Sequence, residues 1–214
     1  MGKMMKLPRR VLPLLLATPA LTTKALAQSG GGGRANYHWH VMRNGTEIGT
    51  HNVTFTQRGE ERLAQSEILI VPAVLGIVVY RYEHRYTEVT RGGHFVSVRS
   101  RLNRNGRIVE VEAEAGAEAV TLRGPEGALR LPADAAPLSW WEPQRFGGGT
   151  PLFGTTTGKP MDLRWAHAAL PDGGTRWSTT GELEAVLEFS VRGLWTAYQV
   201  KGDDGSTVSY EAAA

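Results

Sequence analysis

The sequence predicts an all-β fold: an antiparallel, up-and-down meander curled into an open or closed barrel-like sheet, with a β-sandwich as the alternative. Three observations predict it. From Asn36 onward apolar and polar residues alternate with period two, the spacing of half-buried strands. Turn signals (Asn44-Gly45, Arg91-Gly92-Gly93, Asn105-Gly106 and Asp203-Asp204-Gly205) punctuate that alternation at strand-length intervals. No long run carries a helical apolar stripe, so the strands have only short turns to join them and must pair as antiparallel neighbours. A sheet of about ten or more strands curls, splits or closes.

The elements follow in order. Residues 37–43 read as a strand, Asn44-Gly45 as a two-residue turn and 46–57 as the returning strand. A third strand covers 62–71. The fourth, 78–90, is long and ends at Arg91-Gly92-Gly93. Residues 94–103 pair back on it, Asn105-Gly106 turns the chain again, and 108–115 alternates apolar residues with glutamate. Short strands at 119–123 and 128–131 flank Gly124-Pro125-Glu126-Gly127. Residues 132–160 break the pattern with five prolines, Trp140-Trp141 and Gly147-Gly148-Gly149. They read as a long, partly ordered loop with a helical turn at 133–140, a kind of segment that serves as a lid or binding loop. Strands resume at 161–169, 176–180, 183–192, 194–201 and 206–211.

Residues 1–27 read as a cleavable signal peptide. Lys3, Lys6, Arg9 and Arg10 form its basic start, 11–21 a short apolar stretch, and Ala25-Leu26-Ala27 a small-x-small cleavage site. The Arg9-Arg10 pair leaves both the general-secretion and the twin-arginine route open. Residues 28–35 are a flexible Gly-rich tether and 36–214 a single β-rich domain, so a periplasmic or secreted location is expected. The apolar stretch is too short to span a bilayer, and no later one is long enough, so no transmembrane segment is expected. Five of the 24 Lys and Arg residues and none of the 21 Asp and Glu lie in 1–27. The remainder therefore carries 19 basic and 21 acidic residues, a formal net charge of −2, and lacks the basic footprint of a nucleic-acid partner. With no cysteine, disulfides, thiolate metal sites and cysteine catalysis are excluded.

Two constellations could carry chemistry. If Asn44-Gly45 makes a two-residue hairpin, His38 faces His51 and His40 lies on the same side, so His38, His40 and His51 could hold a divalent metal with an open position. A bulge would shift that register. The second is the strand that places Tyr80, Tyr82, His84, Tyr86 and Glu88 on one face and Arg81, Glu83 and Arg85 on the other. Rings with polar tips can line a cavity while satisfying their hydroxyls. Arg99, Arg101 and Asn103 share a face of the next strand, where they could pair with Glu83 or Glu88 or meet an anion. Glu110, Glu112 and Glu114 form a row that reads as a solvated outer face. Trp140 and Trp141 could cap the open end of a barrel or stack on a ligand. There is no Gly-x-Ser-x-Gly elbow, His-Glu-x-x-His or dinucleotide fingerprint, and residues 154–160 lack the spacing and the Ser or Thr of a phosphate loop.

Asn44-Gly45 with Ile48-Gly49 and His51, then Tyr80 to Val89, then Ser139-Trp140-Trp141 with Pro143, resemble a proteobacterial family of exported β-rich proteins, a domain of unknown function. The resemblance spans Tyr37 to Ala212. It implies export and an all-β fold, and no activity or catalytic residue. His38 and His40 are not part of the shared pattern.

The expected function is binding or carrying a small amphipathic, lipid-like molecule rather than catalysis. Tyr80, Tyr82, His84 and Tyr86 would form the cavity wall, with Arg99 on the neighbouring strand and Trp140 and Trp141 at the mouth. The alternatives are a metal-binding protein or metal-dependent enzyme using His38, His40 and His51, and an envelope protein that contacts other proteins through an edge strand.

Overall fold

The computed structural model describes residues 35–75, 77–202 and 204–213. The expected signal peptide, and all but the last residue of the tether, lie outside them. The chain builds one large antiparallel sheet. Its first half supplies β1 (Tyr37–Arg43), β2 (Thr46–Arg58), β3 (Glu61–Ile70), the small hairpin β4 (Ala73–Val74) and β5 (Ile77–Val78), β6 (Tyr82–Arg91), β7 (His94–Arg104), β8 (Arg107–Ala115), β9 (Ala119–Gly124) and β10 (Gly127–Pro132). The bridging segment contains β11 (Ala136–Pro137), a single 3₁₀ turn at Pro143–Arg145 and β12 (Leu152–Phe153). The second half is β13 (Leu163–Ala169), β14 (Thr175–Gly181), β15 (Ala185–Phe189), β16 (Trp195–Lys201) and β17 (Thr207–Ala212).

Thirteen strands pair in the order β10-β9-β8-β7-β6-β3-β2-β1-β17-β16-β15-β14-β13, so β10 and β13 are the two edges and the sheet is not closed. Each half is a meander of hairpin-linked neighbours, and β1 joins the halves by pairing with β17. Local chemistry explains the hairpins. Asn44 and Gly45 have φ of 48° and 80°, and Asn105 and Gly106 have 51° and 87°. Those left-handed pairs match the strand twist, and Asn and Gly adopt them at least cost. Each Asn also ties its turn to a neighbouring segment. Asn44 donates its N–H to the Thr207 carbonyl and accepts the Thr207 N–H on its side chain. Asn105 makes the same pair of bonds with Arg81.

Alternation puts one face of every long strand inside. On β6 the buried residues are His84, Tyr86, Glu88 and Thr90; on β7 they are Val98, Ser100 and Leu102. The sheet curls around the segment that links its two edges. Trp141 stacks on Tyr86 of β6, with ring centroids 5.6 Å apart. Phe146, five residues later, stacks on Trp165 of the edge strand β13 at 4.2 Å. One short segment reaches both because the concave face wraps it. Residues 132–160 are thus an internal plug. The helical turn expected at 133–140 is absent: Pro137 cannot donate to a helix, and Ala136 and Pro137 pair in parallel with Leu152 and Phe153 instead. The plug passes so close to β9 that a Cβ on Gly124 would sit 2.9 Å from the Cα of Gly158.

The register of the first hairpin corrects an expectation. Val41 faces Gly49 but Met42 faces Glu47, so Ile48 is the extra residue of a β-bulge. Trp39, not His38, therefore opposes His51, and His38 opposes Asn52.

Candidate functional site

The plug fills only one end of the barrel-like interior. Toward the other end, where the turns after β1, β3, β7 and β16 lie, the wall encloses a cavity of about 510 Å³. Tyr80, Tyr82, His84 and Tyr86 line it from the β6 side and Trp140 from the plug. His51, Tyr198 and Tyr210 line it from the neighbouring strands, and Val41, Ile68, Ile70, Val200 and Val208 complete an apolar wall.

The aromatic face of β6 is built as a stack. His84 lies on Tyr86 with ring centroids 5.0 Å apart, and Tyr86 lies on Trp141. The Ser100 hydroxyl donates to the Thr155 carbonyl at 2.7 Å, so the His84 Nε2–H donates to Ser100 Oγ at 2.8 Å, which fixes the tautomer. Across the sheet His51 Nε2 meets Ser66 Oγ at 2.9 Å, with the ring edge-on to Tyr210. His51 is 1% exposed, and its Nδ1 has no partner among the described residues.

Burial sets the charge state of this wall. Desolvation pushes the His51 ring down to about 3, with nearby His84 adding to the effect. Desolvation alone takes His84 to about 4. Burial raises the Tyr82 hydroxyl to about 12 against the opposing charge of Arg104. Burial also raises Tyr86, Tyr198 and Tyr210 above the usual phenol range. The histidines and buried tyrosines of the wall are thus uncharged at physiological pH, and among the described residues the one cationic side chain lining the cavity is Arg104, whose guanidinium carbon lies 5.6 Å from the Tyr82 ring centroid.

The closed end is built differently. Glu88, on the same face of β6, is 1% exposed and pairs with Arg145 at 2.6 Å. Ser139 Oγ donates to its other oxygen at 2.5 Å, and Arg145 also donates to the Pro137 carbonyl at 3.0 Å. Arg62 and Gln144 both bond to buried Glu142. These pairs pin the plug to β3 and β6.

Of the residues singled out in the sequence, Tyr80, Tyr82, His84, Tyr86 and Trp140 come together on the cavity wall. Trp141 lies beneath it, 1% exposed, packed on Tyr86 and Phe55. Arg99 does not join them. It is exposed on the outer face, 3.9 Å from Glu112, beside the Arg101–Glu110 pair at 3.6 Å. Glu83 pairs with Arg81 and Arg85 of its own chain stretch, and Glu88 with Arg145, so neither meets Arg99 or Arg101. The three histidines do not assemble. His51 points inward, while His38 bonds the Asn52 side chain at 3.1 Å and His40 lies 3.0 Å from Glu47 on the outer face. Among the described residues no group of three His, Cys, Asp or Glu could hold a metal ion. Arg104 and Arg145 are not among the residues that stand out in the sequence. Arg104 was legible, because it continues the inward parity of Val98, Ser100 and Leu102.

Fold and cavity together define an open, barrel-like β-protein with an internal plug at one end and an aromatic-lined chamber at the other. The chain matches the family described as Domain of unknown function (DUF6134) over residues 39–213, and it belongs to that family. Among solved structures it is similar to the beta-barrel-like protein of domain of unknown function DUF1849 from Brucella abortus, with 8% identity and a TM-score of 0.56 over 83% of this chain and 95% of that one. That likeness is one of fold. A DUF1089 family protein from Pseudomonas aeruginosa is 14% identical, with a TM-score of 0.44 over 85% of this chain and 96% of that one. No curated protein matches the chain.

Proposed function

We propose that this is an exported binding or carrier protein that holds a small amphipathic, lipid-like molecule in the chamber behind Tyr82. The observation that carries the reading is the chamber itself. About 510 Å³ lies within the range of small-molecule sites, and no side chain of the plug fills it although Trp141 and Phe146 pack the other end tightly. Its wall is apolar and aromatic, suited to a hydrocarbon or ring system. Its polar groups include the tyrosine hydroxyls, the His51 Nδ1, which has no partner among the described residues, Thr155, Thr156 and the Arg104 guanidinium, a set suited to a polar or anionic head group. Export rests on the residues of 1–27, which lead to the periplasm or beyond.

Native mass spectrometry of the protein recovered from the envelope tests this. A co-purifying molecule of a few hundred daltons is expected, and Ile68→Trp, which fills the chamber, lowers its occupancy about tenfold or more. If the wild-type protein carries nothing and binds no amphipathic fluorophore from solution, the reading fails. A second reading, contact with other envelope proteins, draws support from the unpaired edges β10 and β13, and cross-linking in intact cells separates it from the first.

A further inference from the structure

We propose that the hairpin between β3 and β6 is a membrane-docking tip that seats the mouth of the chamber on an anionic lipid bilayer. From Ile68 to Tyr80 the chain has no charged residue. β4 and β5 pair only with each other and stand off the main sheet. Leu75 is 98% exposed, Val78 57% and Val79 58%. A soluble surface gains nothing from projecting three large aliphatic side chains on one protrusion, and a lipid interface does.

The surroundings identify the occupant. Arg81 follows the hairpin directly, and Asn105 ties it to the β7–β8 turn through bonds of 2.7 and 2.9 Å. That turn is flanked by Arg104 and Arg107, both exposed and without a carboxylate in ion-pair reach among the described residues. Glu83 offsets Arg81 at 3.1 Å, leaving two unneutralised cations beside the apolar tip. An aliphatic tip with arginines at its base complements acyl chains beneath a layer of anionic head groups. The tip is also continuous with the chamber: Ile70 and Tyr80, at its two feet, line the cavity. A docked hairpin therefore brings the opening to the lipid surface. The proposal goes beyond ligand binding and does not depend on the chamber being filled.

The chain has no cysteine, so a single one reports its own position. Leu75→Cys, labelled with an environment-sensitive fluorophore, is mixed with vesicles of equal phosphatidylglycerol and phosphatidylcholine, with Glu118→Cys at the opposite end as the reference site. The expected result is a blue-shifted, several-fold rise at position 75 and none at 118. Adding Arg107→Glu weakens vesicle affinity about fivefold, the scale of one basic residue near a charged surface, and pure phosphatidylcholine weakens it further. Because residue 75 is almost fully exposed, an unchanged Tm for the labelled protein certifies the fold. No response at 75, an equal response at 118, or a response indifferent to lipid charge overturns the proposal. Since the vesicles report docking and not occupancy, this result and the mass-spectrometric one fail separately.

Discussion

The two ends of the interior are lined by the same strand and solve opposite problems. At the closed end β6 offers Tyr86 and Glu88 to a plug that answers with the Trp141 ring, the Arg145 guanidinium and the Ser139 hydroxyl. At the open end it offers Tyr82 and His84 to the chamber, which the plug does not reach across. The contrast teaches that tight packing and open space have been separated along one strand. Among the described residues the buried ion pairs lie at the closed end, and the open end is lined by uncharged rings apart from the exposed Arg104.

The largest expected effect breaks the closed end. Arg145→Met leaves the Glu88 carboxylate buried with Ser139 as its remaining partner, and the expected cost is about 3–5 kcal/mol in urea denaturation. The double change Glu88→Gln with Arg145→Met recovers part of that loss. If Arg145→Met costs no more than Arg101→Met on the solvated outer face, expected at about 0.5 kcal/mol or less, the plug is not what holds the fold.

Acid attacks the open end. His51 and His84 titrate near 3 and 4 in the fold and at 6.5 when unfolded, so the unfolded chain takes up protons first as the pH falls. Their contribution is complete above 6.5 and declines through the window from 6.5 down to the folded values. Between about pH 7 and about pH 5 the pair accounts for roughly 3–4 kcal/mol of lost stability, read from denaturation midpoints across pH. The double variant His51→Gln with His84→Gln flattens that slope.

The smallest effect sharpens the comparison. Tyr82→Phe removes one hydroxyl at the rim of the chamber, and the expected change in stability is under about 1 kcal/mol while ligand occupancy falls several-fold. A loss of stability as large as that of Arg145→Met would erase the distinction between the ends.

Most of the strand order was legible, because period-two alternation and Asn-Gly turns are local signals. So was the composition of the chamber's β6 wall, since Tyr80, Tyr82, His84 and Tyr86 share a parity. The histidine register was not. The bulge at Ile48 is set where Gly49 packs against the Leu69 backbone, so closely that a Cβ there would lie 1.9 Å from the Leu69 carbonyl oxygen. That contact is made by β3, and its one trace in the hairpin's own sequence is Gly49, an isolated glycine in a strand pattern that does not say which way the register shifts. The plug was hidden for a related reason. A proline-rich segment has no periodicity to read, and Arg145 meets Glu88 from 57 positions along the chain. Sequence identified a long loop and could not say that it turns inward.

The seam between β1 and β17 has a temporal consequence. Hairpin neighbours in each half can zip as soon as they exist, but Trp39 must wait for Ala212, almost the whole length of the domain away. Closing so long a loop is entropically the costliest pairing in the sheet, and it comes after the local ones. Until then β1 has one neighbour instead of two, and its open flank is a template for any passing strand. The step that completes the barrel-like wall is thus also the interval in which the chain is most exposed to aggregation.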